Sequence, residues 1–221
     1  MMEMLPQITQ KLRHPDNEVV LRAVEALRAQ GWLENGALEG LNLQYVHLQK
    51  ANLSMADLRK VNLSMADLRW ANLVGANLGG AQLNNANLYR ADMSMTNLQG
   101  ANMIRANLQG AHNLTEEQLT QVNRLRGATM PDGSLYDGRR YDGRFNLPGD
   151  LADARFLRVD CSNLESLADF YGISMDDYLI GQQWALENRA ARDLIEDIRR
   201  ADMDAILARL YELENWRYLL I

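Results

Sequence analysis

Residues 51–70 read ANLSMADLRK followed by VNLSMADLRW, a stretch copied almost unchanged by the next one of equal length. Each copy holds a shorter unit: a small residue, then Asn or Asp, then Leu, then two variable residues. Followed outward, the unit runs from Leu38 to Leu108, and every fifth residue is Leu or Met. The centres are Leu38, Leu43, Leu48, Leu53, Leu58, Leu63, Leu68, Leu73, Leu78, Leu83, Leu88, Met93, Leu98, Met103 and Leu108. Two residues before the centre stands Ala in ten units, and directly before it stands Asn or Asp in twelve. A period kept over this length marks a repeat architecture and is read before anything else.

A period of five suits neither regular structure. Five residues of an α-helix advance roughly 500°, so successive leucines drift by ~140° and form no stripe. In one straight strand an odd spacing sends every second Leu into water. The pattern closes if each pentapeptide makes the same short extended segment and the same corner. The centre and the small residue then both point inward, while Asn or Asp and the last two residues face out. Such a chain coils into a narrow, filled tube whose coils lie ~4.8 Å apart. Each buried Leu contributes roughly 1.5–3 kcal/mol, which makes a substantial one-dimensional core.

The A(D/N)LXX pattern over residues 36–112 resembles the pentapeptide-repeat proteins. That resemblance implies a β-solenoid, a right-handed quadrilateral β-helix with four pentapeptides per coil and about four coils here. Four faces are implied by the family alone. Departures fall at Leu41, Val46, Val61 and Thr96 in the small position, and at His47 and Gln82 in the polar one.

An open coil exposes backbone at both ends and requires caps. Residues 1–35 read as a helical cap: helices over 4–13 and 16–30, split by Pro15, with Asp16 as N-cap and Gly31 past the end. Trp32 and Leu33 lead into the first coil. After Ala111 the register fails, because Asn113 stands where Leu is due. Residues 113–162 read as a helix over 115–124 and then a turn-rich segment with Asp-Gly at 132, 137 and 142. A calcium loop is the alternative there, but the spacing fits neither an EF-hand nor the nonapeptide calcium repeat. Residues 163–221 read as helices over 163–171, 175–188, 190–199 and 202–220. The last is too apolar to stand alone in water, so it packs on the repeats or pairs with its copy.

The chain carries a net charge of −6 over 221 residues. Residues 36–110 hold four acids against six bases, so the acidity belongs mostly to the C-terminal part. Cys161 is the sole cysteine, which excludes a disulfide framework or a cysteine zinc site and fits a cytoplasmic setting. Neither a secretory leader nor a run of ~20 apolar residues is present, so no membrane association is expected. His14, His47 and His112 lack a neighbouring nucleophile, and no HExxH or phosphate-binding glycine loop occurs. Neither catalytic residues nor a cofactor or metal site is therefore expected, and the chain reads as a non-enzyme.

Stacking by four pentapeptides, the coil that the family implies, aligns Lys50, Trp70 and Arg90 beside Arg69 and Tyr89. These five form the candidate interaction face, basic and aromatic, suited to an anionic ligand. In the simpler, preferred reading this face docks the chain's own acidic tail. Two functions follow as expectations. The first is a protein-interaction scaffold rod with an unknown protein partner and a homodimer through the C-terminal helices. The second, implied by gyrase-protecting members of the same family, is a DNA mimic that binds gyrase. The rod's charge of +2 argues against mimicry, and the overall charge of −6 opposes direct nucleic-acid binding.

Overall fold

The pentapeptide unit determines the path of the chain between Leu38 and His112. Three residues run extended and two make a turn, and the second turn residue takes a left-handed φ near +60°. Met55 (+59°), Trp70 (+56°) and Arg90 (+55°) occupy this position, as do Gly75, Gly80 and Gly100. The turn closes when the small residue's N–H donates to the carbonyl of the preceding centre, as Ala51 does to Leu48 at 3.0 Å. The Asn or Asp before each centre accepts the N–H two residues on, for example Asn52 from Ser54 at 3.2 Å. That local bond explains why the position is so uniformly Asn or Asp.

Successive turns stack at a constant offset. Parallel bridges pair Asn42 with Asn62, His47 with Asp67, Asn52 with Asn72, and so on to Asp92 with His112, always four pentapeptides apart. Most centres donate their N–H to a carbonyl on the next turn, as Leu43 does to Asn62 at 2.7 Å and Leu78 to Asn97 at 2.9 Å. The centres and the small residues fill the interior; Leu63, Leu68, Leu73, Leu78 and Leu83 are each 0 % exposed. Thr96, the polar exception among the small positions, is buried and donates to the Leu73 carbonyl at 2.9 Å.

The computed structural model describes residues 4–138 and 147–200, with side chains as far as Arg189. Its regular elements are α1 (Met4–Lys11), α2 (Asn17–Ala29), α3 (Glu116–Thr120), α4 (Pro148–Phe156), α5 (Leu164–Tyr171) and α6 (Met175–Arg200). This corrects the expected fold class and, with it, the architecture that the resemblance implied. Among the described residues there is no β-strand and no sheet, so a β-solenoid in the form of a right-handed quadrilateral β-helix is not what the assigned elements make. Contacts between successive turns are isolated single bridges. The physical reason lies in the unit itself. A left-handed residue every fifth position ends each extended run after about three residues, too short for a ladder to propagate. All six regular elements are helices, and none lies between Gln30 and Thr115.

The bridging also continues beyond the point where the sequence pattern fails. Asn102 pairs with Arg124 and Asn107 with Thr129, a longer offset than before, because the segment containing α3 adds two residues to that turn of the chain. Thr115 and Gln118 form a capping box at its start. Buried Gln118 donates to the carbonyls of Met93 and Thr96, both at 2.8 Å, and so ties the insertion to the turn beneath. Leu125, Ala128 and Met130 resume the inward pattern. Asp132-Gly133 then turns a short antiparallel contact, Thr129 with Leu135. The expected helix over 202–220 and the Asp-Gly at 142 lie outside the described residues.

The helices attach at the two ends of the stack. At the start, α1 packs on α2, which buries Val20, Ala23, Val24 and Leu27. Asp16 caps α2 by accepting from Glu18 at 2.9 Å. At the far end, α4 begins at Pro148 and brings fully buried Asp150 against the last turn. Helix α5 is capped by Asn163 and ends at left-handed Gly172 (φ +75°). The expected helices over 175–188 and 190–199 are one continuous element, α6.

Candidate protein interface

Helix α6 presents two contrasting sides. Tyr178, Gly181 and Ala185 recur at helical spacing and are buried. A Cβ on Gly181 would come within 2.8 Å of the Asp137 carboxyl carbon, so glycine permits this close approach. Tyr178 stacks on Tyr171 of α5 with centroids 6.0 Å apart, and Tyr171 meets Tyr136 edge-on at 5.8 Å. The opposite side carries Asp176, Ile180, Gln183 and Glu187, flanked by Leu179 and Leu186. Ile180 is 62 % exposed and Leu186 49 %. Near the end of α4, Phe156 is 86 % exposed, with Leu157 beside it. The C-terminal helices thus carry exposed hydrophobic residues of the kind that protein interfaces cover.

The five residues of the sequence-derived face come together in the structure. The Trp70 and Tyr89 rings meet edge to face at 5.7 Å. The Arg69 guanidinium lies 5.6 Å from the Trp70 ring centroid, and that of Arg90 lies 5.2 Å from the Tyr89 centroid. Arg90 extends over Gly110, where an added Cβ would sit 3.1 Å from its Cγ. Trp70 remains 43 % exposed, so no described part of the acidic C-terminal region covers it fully.

The charges on this face are not equivalent. Arg69 forms a two-toothed pair with Asp67, its closest contact being 2.6 Å, and Gln49 donates to the same carboxylate. Burial pushes the Asp67 carboxyl up, but the hydrogen bonds from Arg69 and Gln49 outweigh it and hold the group below its ordinary value. Lys50 and Arg90 have no carboxylate partner among the described residues. On the neighbouring corner Asp57 is likewise held low, first by the Arg59 hydrogen bond, and Lys60 and Arg59 lower Glu39.

These pairings bear on both functional expectations. A gyrase-binding DNA mimic needs a continuous array of unneutralised acids, whereas Asp57, Asp67 and Glu39 are each paired with a base in the stack. The scaffold rod was expected to present the sheet faces of a solenoid, and the regular elements here are helices. Both readings were tied to the corrected architecture and are set aside with it.

Among the described residues no group of three or more His, Cys, Asp or Glu is arranged to hold a metal ion. No described helix is long and apolar enough to cross a membrane. A depression between α1 and α2 is lined by Ile8, Lys11, Val19 and Arg22. Sequence reasoning missed α4 and its buried Asp150, although Leu147-Pro148 followed by Asp150 carries the mark of a helix start.

Comparison with known proteins places the repeat among its relatives. A family model for pentapeptide repeats matches residues 37–73 and 66–103. Among solved structures, the chain is similar to HetL, a pentapeptide repeat protein involved in heterocyst differentiation regulation in the cyanobacterium Nostoc. Identity is 45 %, with 43 % of each chain covered and a TM-score of 0.40. A second pentapeptide repeat protein from Nostoc is 31 % identical over 39 % of this chain and 77 % of its own, with a TM-score of 0.33. Rfr23 from Cyanothece is 28 % identical over 40 % of this chain and 60 % of its own, with a TM-score of 0.36. The chain spans less than half the length of HetL. No curated protein matches it. Residues 37–103 of this chain therefore form a pentapeptide-repeat segment, and helices lie on both sides of it in the sequence.

Proposed function

We propose that the protein acts by binding, without catalysis, and that it binds a second copy of itself through its C-terminal helices. The observation that carries this reading is the exposed surface of α6, where Ile180 stands opposite the stripe that packs on the rest of the chain and Leu179 and Leu186 flank that side. Large apolar side chains exposed on a helix surface cost solubility unless something covers them. Phe156 at the end of α4 and Leu157 after it are exposed as well. A cytoplasmic setting belongs to this reading, because Cys161 is a free thiol on a partly exposed site.

Sedimentation velocity across a hundredfold range of protein concentration tests it. A dimer at micromolar protein is expected, and the double substitution Ile180→Lys with Leu186→Lys shifts it to monomer without lowering the melting temperature. A wild-type protein that remains monomeric throughout overturns the reading.

A further inference from the structure

The exposed stripe of α6 is not purely apolar. Asp176, Ile180, Gln183 and Glu187 follow one another at intervals of four, three and four positions, so they share one side of the helix. Acids stand at both ends of the stripe and Ile180 lies between them, with Leu179 and Leu186 alongside. The distance along the axis from Asp176 to Glu187 is about 16 Å. This side points away from Tyr178, Gly181 and Ala185, the residues through which α6 packs on its own chain. It cannot turn toward its own repeat segment without withdrawing that buried stripe.

The Trp70 corner has the complementary composition. Among the described residues Lys50 and Arg90 are unpaired by any carboxylate, and they stand two turns of the stack apart, about 10 Å by the usual spacing between neighbouring chains. On the turn between them is Trp70, whose ring meets that of Tyr89 edge-on, and Arg90 is held by its contact with Tyr89. A guanidinium fixed on an aromatic ring and lacking a carboxylate is an arranged site for one. The neighbouring corner adds exposed Met55 and Met95, 63 % and 79 % accessible, which suit an aliphatic helix side.

We infer that the acidic and apolar side of α6 in one copy docks on the Lys50–Trp70–Arg90 corner of a second copy, with the exchange made reciprocally. This rests on the self-association proposed above and names the surface that receives the helix. Asp176 and Glu187 meet Lys50 and Arg90, and Ile180 lies against the Trp70 and Tyr89 rings. Reciprocal docking closes the assembly at two copies, whereas a one-way contact would continue into a filament.

Opposite charge reversals test the arrangement in the full-length protein. Lys50→Glu with Arg90→Glu makes both surfaces acidic, and Asp176→Lys with Glu187→Lys makes both basic. Each variant alone is expected to dimerise at least tenfold more weakly than wild type in sedimentation velocity. An equimolar mixture is expected to recover wild-type affinity, because each acidic surface then finds a basic one. Recovery also shows that both variants are folded. If Lys50→Glu with Arg90→Glu dimerises as wild type does while Ile180→Lys with Leu186→Lys is monomeric, the inference fails and helix-to-helix pairing stands. A monomeric wild type overturns the inference together with the self-association on which it rests.

Discussion

The two ends of the turn stack meet the same physical problem with opposite chemistry. At the N-terminal end the first turns expose carbonyls with no preceding turn to supply donors, and long basic or amide side chains reach them. Arg28 donates to the carbonyls of Asn52 and Ser54, Asn17 to Gln49, and Arg13 to Asn42. At the C-terminal end the last turn exposes N–H groups, and a carboxylate meets them. Asp150 accepts from the N–H of Leu125 and of Arg126, both at 3.3 Å. The first of these bonds replaces the carbonyl that a following turn would provide. The second replaces the local acceptor that Asn or Asp supplies in other units, since Arg124 occupies that position here. Donors at the N-terminal end are partly solvated and several; at the C-terminal end one acceptor is fully buried. The stack therefore ends firmly at one side through a single group and more diffusely at the other.

The largest expected effect follows from the burial of that one group. Desolvation pushes the Asp150 carboxyl up to about 6, against the lowering influence of its two backbone hydrogen bonds. The folded state therefore holds its proton more tightly than an unfolded chain, where an ordinary Asp titrates near 3.9. Stability from this group is fully present below pH ~4 and is lost as pH rises through about 6, by roughly 3 kcal/mol at most. Asp57, Asp67 and Asp92 work in the other direction, being held low, and cost stability only as pH falls below the ordinary carboxylate range. Urea unfolding at pH 4.5, 5.5 and 6.5 should show a falling midpoint in wild type and a flat one in Asp150→Asn. An equal slope in both removes Asp150 as the source and weakens the contrast between the ends.

Truncation breaks the same end more directly. Asp150→Ala leaves the N–H groups of Leu125 and Arg126 without their acceptor in a dry site, at a cost of about 2 kcal/mol at pH 5. Hydrogen exchange at Leu125 and Arg126 should accelerate before that of the central turns, because the loss is local to the last turn. Protection unchanged at both amides would mean that another group terminates the stack.

How much of this was readable beforehand depends on range. Inside the repeat, each residue's role is set within five positions. Leu78 is buried for the same reason as Leu73, and Asn72 turns the chain as Asn52 does, so the interior could be written from the sequence, whereas the Lys50–Trp70–Arg90 alignment rests on the four-pentapeptide coil that the family resemblance implies. The form of the backbone pairing could not. Counting inward residues predicts extended segments, but the left-handed φ at Met55, Trp70 and Arg90 limits each to a single bridge. The end groups were hidden for a different reason. Asp150 acts on Leu125 across a long stretch of chain, and no local pattern announces such a partner. The resumption after α3 was visible in part, since Leu125 and Met130 stand five apart with Ala128 between them. The two-residue change of offset concealed it. On α6, Ile180 and Leu186 look like ordinary helix residues until the buried side of the helix is known.

The smallest expected effect belongs to the N-terminal end. Arg28 makes three hydrogen bonds to Asn52 and Ser54 and an ion pair with Glu34 at 3.0 Å. Its side chain is nevertheless 30 % exposed, so water can replace much of what is lost when it is removed. The ion pair with half-exposed Glu34 contributes little by itself. Arg28→Ala should therefore cost about 1 kcal/mol, less than Asp150→Ala. The carbonyls of Asn52 and Ser54 become hydrated, while the buried side of α2 (Val20, Val24 and Leu27) keeps the helix in place. Thermal unfolding of the two single variants and their combination checks the comparison. The groups lie at opposite ends of the stack and share no partner, so their effects should add within about 0.5 kcal/mol. A combined loss well beyond the sum would show that the two ends are coupled through the turns between them, and that the stack unfolds as one cooperative unit instead of fraying from whichever end is weakened.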